Sequence, residues 1–253
     1  MKTSRLLRLI LSLIVIGLAL GCAADTAMQK KKSKDTRRIG EAYLAEGDFT
    51  SALRSFLKAE EIYPNDPFLH NDLGLTYQAK GELDLAIRHF KKAVELNPDY
   101  APARNNLGVA YLAKQDWDSA IGIFKELTGN LLYTTPHYPL ANLGWAYYNK
   151  GAYRLAEKYY RRALSIEPKF IIAMRGLGLT CLATGRVNEA IQMFEKASRL
   201  SPNLAELHMN LAEAYRTSGE TEKSIAAYKK VIELAEDNEI AWKAEQTLKQ
   251  LSP

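Results

Sequence analysis

The sequence predicts an all-α solenoid of helix pairs, and three ladders of residues predict it. Glycine falls at Gly40, Gly74, Gly108, Gly144 and Gly178, with Ala212 completing the series, at spacings of 34, 34, 36, 34 and 34. Ala52, Ala86, Ala120, Ala156, Ala190 and Ser224 run in step with it, and so do Phe56, Phe90, Phe124, Tyr160, Phe194 and Tyr228. A period of this size is the length of one helix–turn–helix unit, which buries its apolar face by stacking on its neighbours. Such an array normally presents a surface to another protein and performs no chemistry.

With the ladder glycine at position 8, six repeats cover residues 33–66, 67–100, 101–136, 137–170, 171–204 and 205–238. Positions 7, 8 and 11 are small or apolar, as in Leu73, Gly74 and Tyr77, and at 100° per residue they share one helix face. A glycine inside a helix costs roughly 1 kcal/mol against alanine, so its recurrence at one register marks a close approach of two helices. A second glycine recurs at position 15 (Gly47, Gly81, Gly151, Gly185, Gly219), where the first helix must stop and turn. The second helix carries the alanine at 20 and the aromatic at 24. Pro64, Pro98, Pro168 and Pro202 close four repeats at position 32 and mark the link to the next pair.

This pattern resembles the tetratricopeptide repeat, with glycine at 8, tyrosine at 11, alanine at 20 and 27, phenylalanine at 24 and proline at 32. The resemblance runs from about Ser33 to the end. Cys181 replaces the tyrosine at position 11 in the fifth repeat, Gln115 replaces the turn glycine in the third, and the third and sixth lack the closing proline. Residues 239–251, with Ile240, Trp242, Leu248 and Leu251, read as an amphipathic helix capping the last apolar face. The expectation is thirteen helices, and the resemblance implies a right-handed superhelix.

Residues 1–21 stand apart. Lys2, Arg5 and Arg8 precede the apolar run 9–20, which is too short to span a bilayer comfortably and reads as a secretory signal. It ends Ala19-Leu20-Gly21-Cys22, which resembles a bacterial lipobox, so Cys22 is the expected lipidation site. Ala23, which is not aspartate, favours the outer membrane, with the chain facing the periplasm. Residues 22–32 are then expected to be a lipidated cysteine and flexible tether ahead of the repeat domain, 33–253. The basic cluster Lys30, Lys31, Lys32 and Lys34 reads as a solvated spacer or as a contact for anionic headgroups or cell wall.

Removing the signal lowers Lys plus Arg from 34 to 31 against 29 Asp plus Glu, so the formal charge falls from +5 to +2. Nucleic acid is therefore not an expected partner, and no small-molecule substrate is indicated. Once Cys22 is lipidated, Cys181 is the only thiol left and reads as a small core residue. No histidine pair of helical spacing, Cys-x-x-Cys, phosphate-binding glycine loop or Gly-x-Ser-x-Gly elbow occurs. The expectation is no enzyme, no cofactor and no metal. His70 and His208 share position 4 but lie four repeats apart.

Positions 2, 5, 9 and 12 of each first helix share another face, roughly 130° from the packing face. In tetratricopeptide arrays this face lines the concave groove. In repeats two and three it holds Phe68, Asn71, Leu75, Asn105, Val109 and Leu112. In repeats four and five it holds Tyr138, Trp145, Tyr148, Ile172, Arg175, Leu179 and Leu182. The face is short of cations, so it suits an amphipathic helix or an extended apolar segment better than a carboxylate clamp. The third repeat is two residues longer, placing Leu131, Leu132 and Tyr133 in a loop that serves either function or packing.

A lipobox, a short polar tether, six repeats and an expanded third-to-fourth junction together resemble the PilF/PilW family of outer-membrane lipoproteins of type IV pilus biogenesis. The resemblance implies a pilotin, whose groove holds a secretin segment while its lipid carries the secretin to the outer membrane. The alternative is a general envelope adaptor that recruits cell-wall enzymes or another secretion system. It shares every feature except the junction.

Overall fold

A computed structural model describes residues 25–129, 135–235 and 238–251. Every regular element among them is helical: α1 (25–45) is followed by α2 (Phe49–Ile62), α3 (Pro67–Ala79), α4 (Leu83–Leu96), α5 (Ala101–Ala113), α6 (Trp117–Gly129) and α7 (His137–Asn149). Then come α8 (Tyr153–Ile166), α9 (Ile171–Ala183), α10 (Val187–Leu200), α11 (Ala205–Ser218), α12 (Thr221–Ala235) and α13 (Glu239–Leu251). The signal segment, Cys22 and the loop at Leu131–Tyr133 lie outside the described residues. The chain forms two compact units that divide within α5, the first ending at Ala110 and the second starting at Tyr111.

Local chemistry sets the helix limits. The Asp48 carboxylate accepts from the Ser51 N–H at 3.0 Å to start α2. Asp66 accepts from the Phe68 N–H at 2.9 Å, with Pro67 as the first residue of α3. Asn238 accepts from the N–H groups of Ile240 and Ala241 to start α13. First helices end at position 13 or 14, and at position 15 Gly47, Gly81, Gly151, Gly185 and Gly219 turn the chain with φ between 73° and 82°. The next N–H reaches back to the carbonyl of position 11, as from Glu82 to Tyr77 at 2.9 Å.

Gln115 takes the same left-handed conformation with φ 60°, and the Asp116 N–H makes the equivalent bond to Tyr111. A side chain there carries a cost of roughly 1–2 kcal/mol that glycine avoids. Gln115→Gly is therefore expected to stabilise the chain by about 0.5–1 kcal/mol, because glycine's greater freedom when unfolded offsets part of the gain. A denaturation midpoint at or below that of the parent would contradict this.

The ladders are one contact repeated. In unit 1 a Cβ added to Gly40 would lie 2.5 Å from Phe56, and one on Gly74 would lie 2.5 Å from Phe90. In unit 2, Tyr160 covers Gly144 and Phe194 covers Gly178 in the same way. Each ring presses against the glycine of its own repeat's first helix, and the position-20 alanines are buried as well. Ser224 stands in the alanine ladder, fully buried, and its hydroxyl donates to the Ala212 carbonyl at 2.9 Å. Positions 3 and 10 are also core, as at Leu69, Leu207, Thr76 and Thr180.

Two expectations need correction. The segment read as a flexible tether is helical from residue 25, continuous with the first repeat's helix, and is exposed up to Lys32. Ala27, Met28, Gln29 and the lysines that follow are strong helix formers that extend an existing ladder of hydrogen bonds. The cap α13 forms as expected but packs through Ala241 and Ala244, whereas Trp242 is 60% exposed. The close approach to α12 fits small side chains and turns the indole outward.

Candidate functional site

In unit 2 the face formed by positions 2, 5, 9 and 12 is apolar, open and rich in rings. Tyr138 is 46% exposed, Trp145 39% and Ile172 57%, whereas Tyr148, Arg175, Leu179, Leu182 and Leu112 are half-buried. Trp145 and Tyr148, three residues apart on α7, stack with ring centroids 5.7 Å apart and planes 11° from parallel. Tyr138 packs edge-on against Phe170 at 5.0 Å.

Between α7 and α9 this face opens into a cleft of about 280 Å³ whose walls include Trp145, Asn142, Ile172, Arg175 and Leu179. The Arg175 Nε–H donates to Asn210 at 2.8 Å, which holds the guanidinium across the cleft. Ala141, Tyr160, Ile171, Gly176 and Leu204 complete the lining, and sequence reasoning missed all five as site residues. Gly176 occupies position 6, where Asn106, Asn142 and Asn210 stand in other repeats. A Cβ there would fall 2.2 Å from Tyr160 Cζ and 2.6 Å from its hydroxyl oxygen. The Tyr160 ring therefore leaves no room for a side chain at position 6 of the next repeat. Both departures, Tyr160 from phenylalanine and Gly176 from asparagine, were visible in the sequence and together form the cleft floor.

In unit 1, Phe68 is 44% exposed and lies edge-on to Tyr100 at 4.9 Å, the same 2-to-34 pairing as Tyr138 with Phe170. The Arg37 guanidinium lies over the Phe68 ring, 5.3 Å from its centroid. With Lys30, Lys34, Asn65 and Asp66 these two line a cleft of about 380 Å³. Lys30, read from sequence as a tether residue, and Lys34 of the first repeat are thus part of a formed surface. Leu75, Asn105 and Val109 are half-buried. Among the described residues, Asn105 Oδ1 and Arg37 Nε have no hydrogen-bond partner. Asn71 departs from expectation: it is buried and its side-chain oxygen accepts from Asn106 at 2.9 Å, so it ties α3 to α5.

Asp72 lies behind Arg37, with Oδ2 3.5 Å from a guanidinium nitrogen. Burial pushes its carboxyl up to about 7 and outweighs the pull of Arg37. The folded state thus holds a proton that the unfolded chain releases near the ordinary value of 3.8. Stability is lost as pH rises from about 4 to 7, by at most about 1.4 kcal/mol per pH unit, and is level above that range. Asp72→Asn is expected to remove this loss, so its advantage over the parent in urea unfolding grows from pH 4 to pH 8. An advantage independent of pH would contradict it.

Chemistry-bearing groups are few. Cys181 is buried and its thiol is pushed up by burial, which makes it unreactive. In unit 1, ligand atoms of Glu60, His70 and His89 lie within 4.8 Å of one another, a grouping that the sequence reading did not anticipate. Spacing along one helix could not show this, because the three residues come from α2, α3 and α4.

Family models for the tetratricopeptide repeat match residues 40–81, 79–115, 103–131, 138–170 and 171–237, well over half of the chain. The chain belongs to the tetratricopeptide-repeat family. Its fold is similar to the crystal structure of PilW, a widely conserved type IV pilus biogenesis factor, with a TM-score of 0.77 and 21% identity, covering 84% of this chain and 98% of PilW. It is similar also to PilF of Pseudomonas aeruginosa, with a TM-score of 0.71 and 17% identity, over 86% of this chain and 99% of PilF. Among curated proteins, human protein O-mannosyl-transferase TMTC1 is 35% identical over 88 residues. That match takes in 35% of this chain and 10% of TMTC1, so the chain spans about a tenth of that relative's length. The tetratricopeptide fold is a protein-interaction scaffold, and in this chain the exposed rings of unit 2 face outward from it.

Proposed function

We propose that this protein is a non-enzymatic, lipid-anchored factor of type IV pilus biogenesis that binds the secretin and promotes its placement and assembly in the outer membrane. The observation that carries the reading is the agreement in fold with PilW over nearly all of that protein's length. The lipobox-like Ala19-Leu20-Gly21-Cys22 supports attachment through Cys22, with the repeat domain in the periplasm. The unit 2 cleft supports a helical or extended apolar segment as cargo: its walls are aromatic and aliphatic, and its single cation, Arg175, is engaged by Asn210. Binding there uses no cofactor and no small-molecule substrate.

A strain lacking the protein tests this. Detergent-resistant secretin multimers and surface pili are expected to fall sharply, and the wild-type gene should restore both. A Cys22→Ser chain should leave the outer-membrane fraction and restore less. Normal multimers and normal pili in the deletion strain would sink the proposal. Loss of cell-wall enzyme localisation instead would identify an envelope adaptor.

A further inference from the structure

We propose that Glu60, His70 and His89 form a binding site for one divalent transition-metal ion of the zinc type, held between α2, α3 and α4 of unit 1. The two Nδ1 atoms of His70 and His89 are 3.0 Å apart, and His70 Nδ1 is 3.7 Å from Glu60 Oε1. Ligands about 2.0–2.1 Å from a tetrahedral ion stand roughly 3.3 Å from one another, between those two separations. The remaining pair, Glu60 and His89, lies within 4.8 Å, so a rotation of the partly exposed Glu60 side chain would bring all three into the first coordination sphere. Two imidazoles and a carboxylate are the donor set that suits zinc and its neighbours.

His70 is already oriented as a ligand. Its Nε2 lies 2.7 Å from the Pro64 carbonyl, which can only accept, so Nε2 carries the proton and Nδ1 presents a lone pair. A backbone carbonyl that holds the far nitrogen of a histidine is the usual support of a metal-ligating ring. His89 stacks against both His70 and Tyr77, with ring planes 27° and 17° from parallel, which fixes its direction. Without an ion, His89 Nδ1–H donates to His70 Nδ1. An ion takes the place of that proton, which passes through solvent to the free His89 Nε2, so both imidazoles stay neutral. His70 is buried, but Glu60 and His89 are half-exposed, which leaves a path for the ion and room for a water as fourth ligand.

The sixth repeat supplies an internal comparison. His208 occupies the position of His70, and its Nε2 lies 2.8 Å from the Pro202 carbonyl. Ala227 and Ser198 stand there in the positions of His89 and Glu60. The carbonyl contact alone therefore serves to join repeats, and the three-ligand set occurs where a second histidine and a carboxylate are added.

The full chain, in detergent and stripped by a chelator, can be titrated with Co²⁺, whose visible absorption reports tetrahedral coordination, and with Zn²⁺ by calorimetry. One equivalent of each is expected to bind. His89→Gln and Glu60→Gln should each weaken binding by about tenfold or more, while helical circular dichroism is kept. His208→Gln should leave it unchanged. Absence of binding at millimolar ion, binding that survives both cluster substitutions, or equal loss in His208→Gln would each overturn the proposal. None of these readouts involves a secretin, so this site and the pilus reading stand or fall separately.

Discussion

Phe90→Ala is expected to remove about 3–5 kcal/mol of stability, the cost of deleting a fully buried ring from a packed core. In a repeat array, stability is close to a sum of repeat and nearest-neighbour terms, so the loss should be local. Amide exchange in α3 and α4 should accelerate strongly, while α10 to α12 keep their protection. Gly74→Ala gives a sharper version of the same test. Helix propensity alone predicts a gain of roughly 1 kcal/mol. The ring 2.5 Å from the added Cβ predicts instead an overpacking cost of about 1–3 kcal/mol. In the Phe90→Ala background the obstruction is gone, so the same alanine should become neutral or stabilising. A double-mutant cycle with no coupling between positions 74 and 90 would show that the ladder glycines serve some other purpose.

The second large effect falls on binding. Trp145→Ala combined with Ile172→Asp is expected to weaken partner capture by a factor of a hundred or more, since central aromatic anchors typically contribute at least ~2 kcal/mol each and an aspartate opposes an apolar segment. Both side chains are exposed, so the thermal midpoint should stay within a few degrees of the parent. Arg175→Gln should weaken capture less, because Asn210 already holds the guanidinium. Equal capture by the double variant and the parent would remove the unit 2 cleft from the account.

The periodic part of the molecule was legible because the repeat imposes one packing solution many times. Glycine under an aromatic ring, alanine beside it and a left-handed residue at the turn each leave a mark in every copy. Gln115 shows that the backbone conformation at that register persists when glycine is absent. What the sequence hid depends on single copies or on pairings across helices. The period marks positions 7, 8 and 11, yet it does not say that Asn71 turns inward to Asn106 or that Trp242 turns outward. The cleft floor needed two departures, Tyr160 and Gly176, to be read as one event across two repeats. The histidine cluster joins positions 28, 4 and 23 of three successive helices, a spacing that no local motif encodes. The segment ahead of Ser33 was misread because a polar helix without an apolar stripe resembles a linker in composition.

The most direct test of the central claim is photocrosslinking in cells from a reactive residue placed at Trp145, with the adduct identified by mass spectrometry. The account predicts a secretin peptide joined at that position and lost on Ile172→Asp. A wall enzyme in its place, or no adduct from a normally expressed chain, would contradict it.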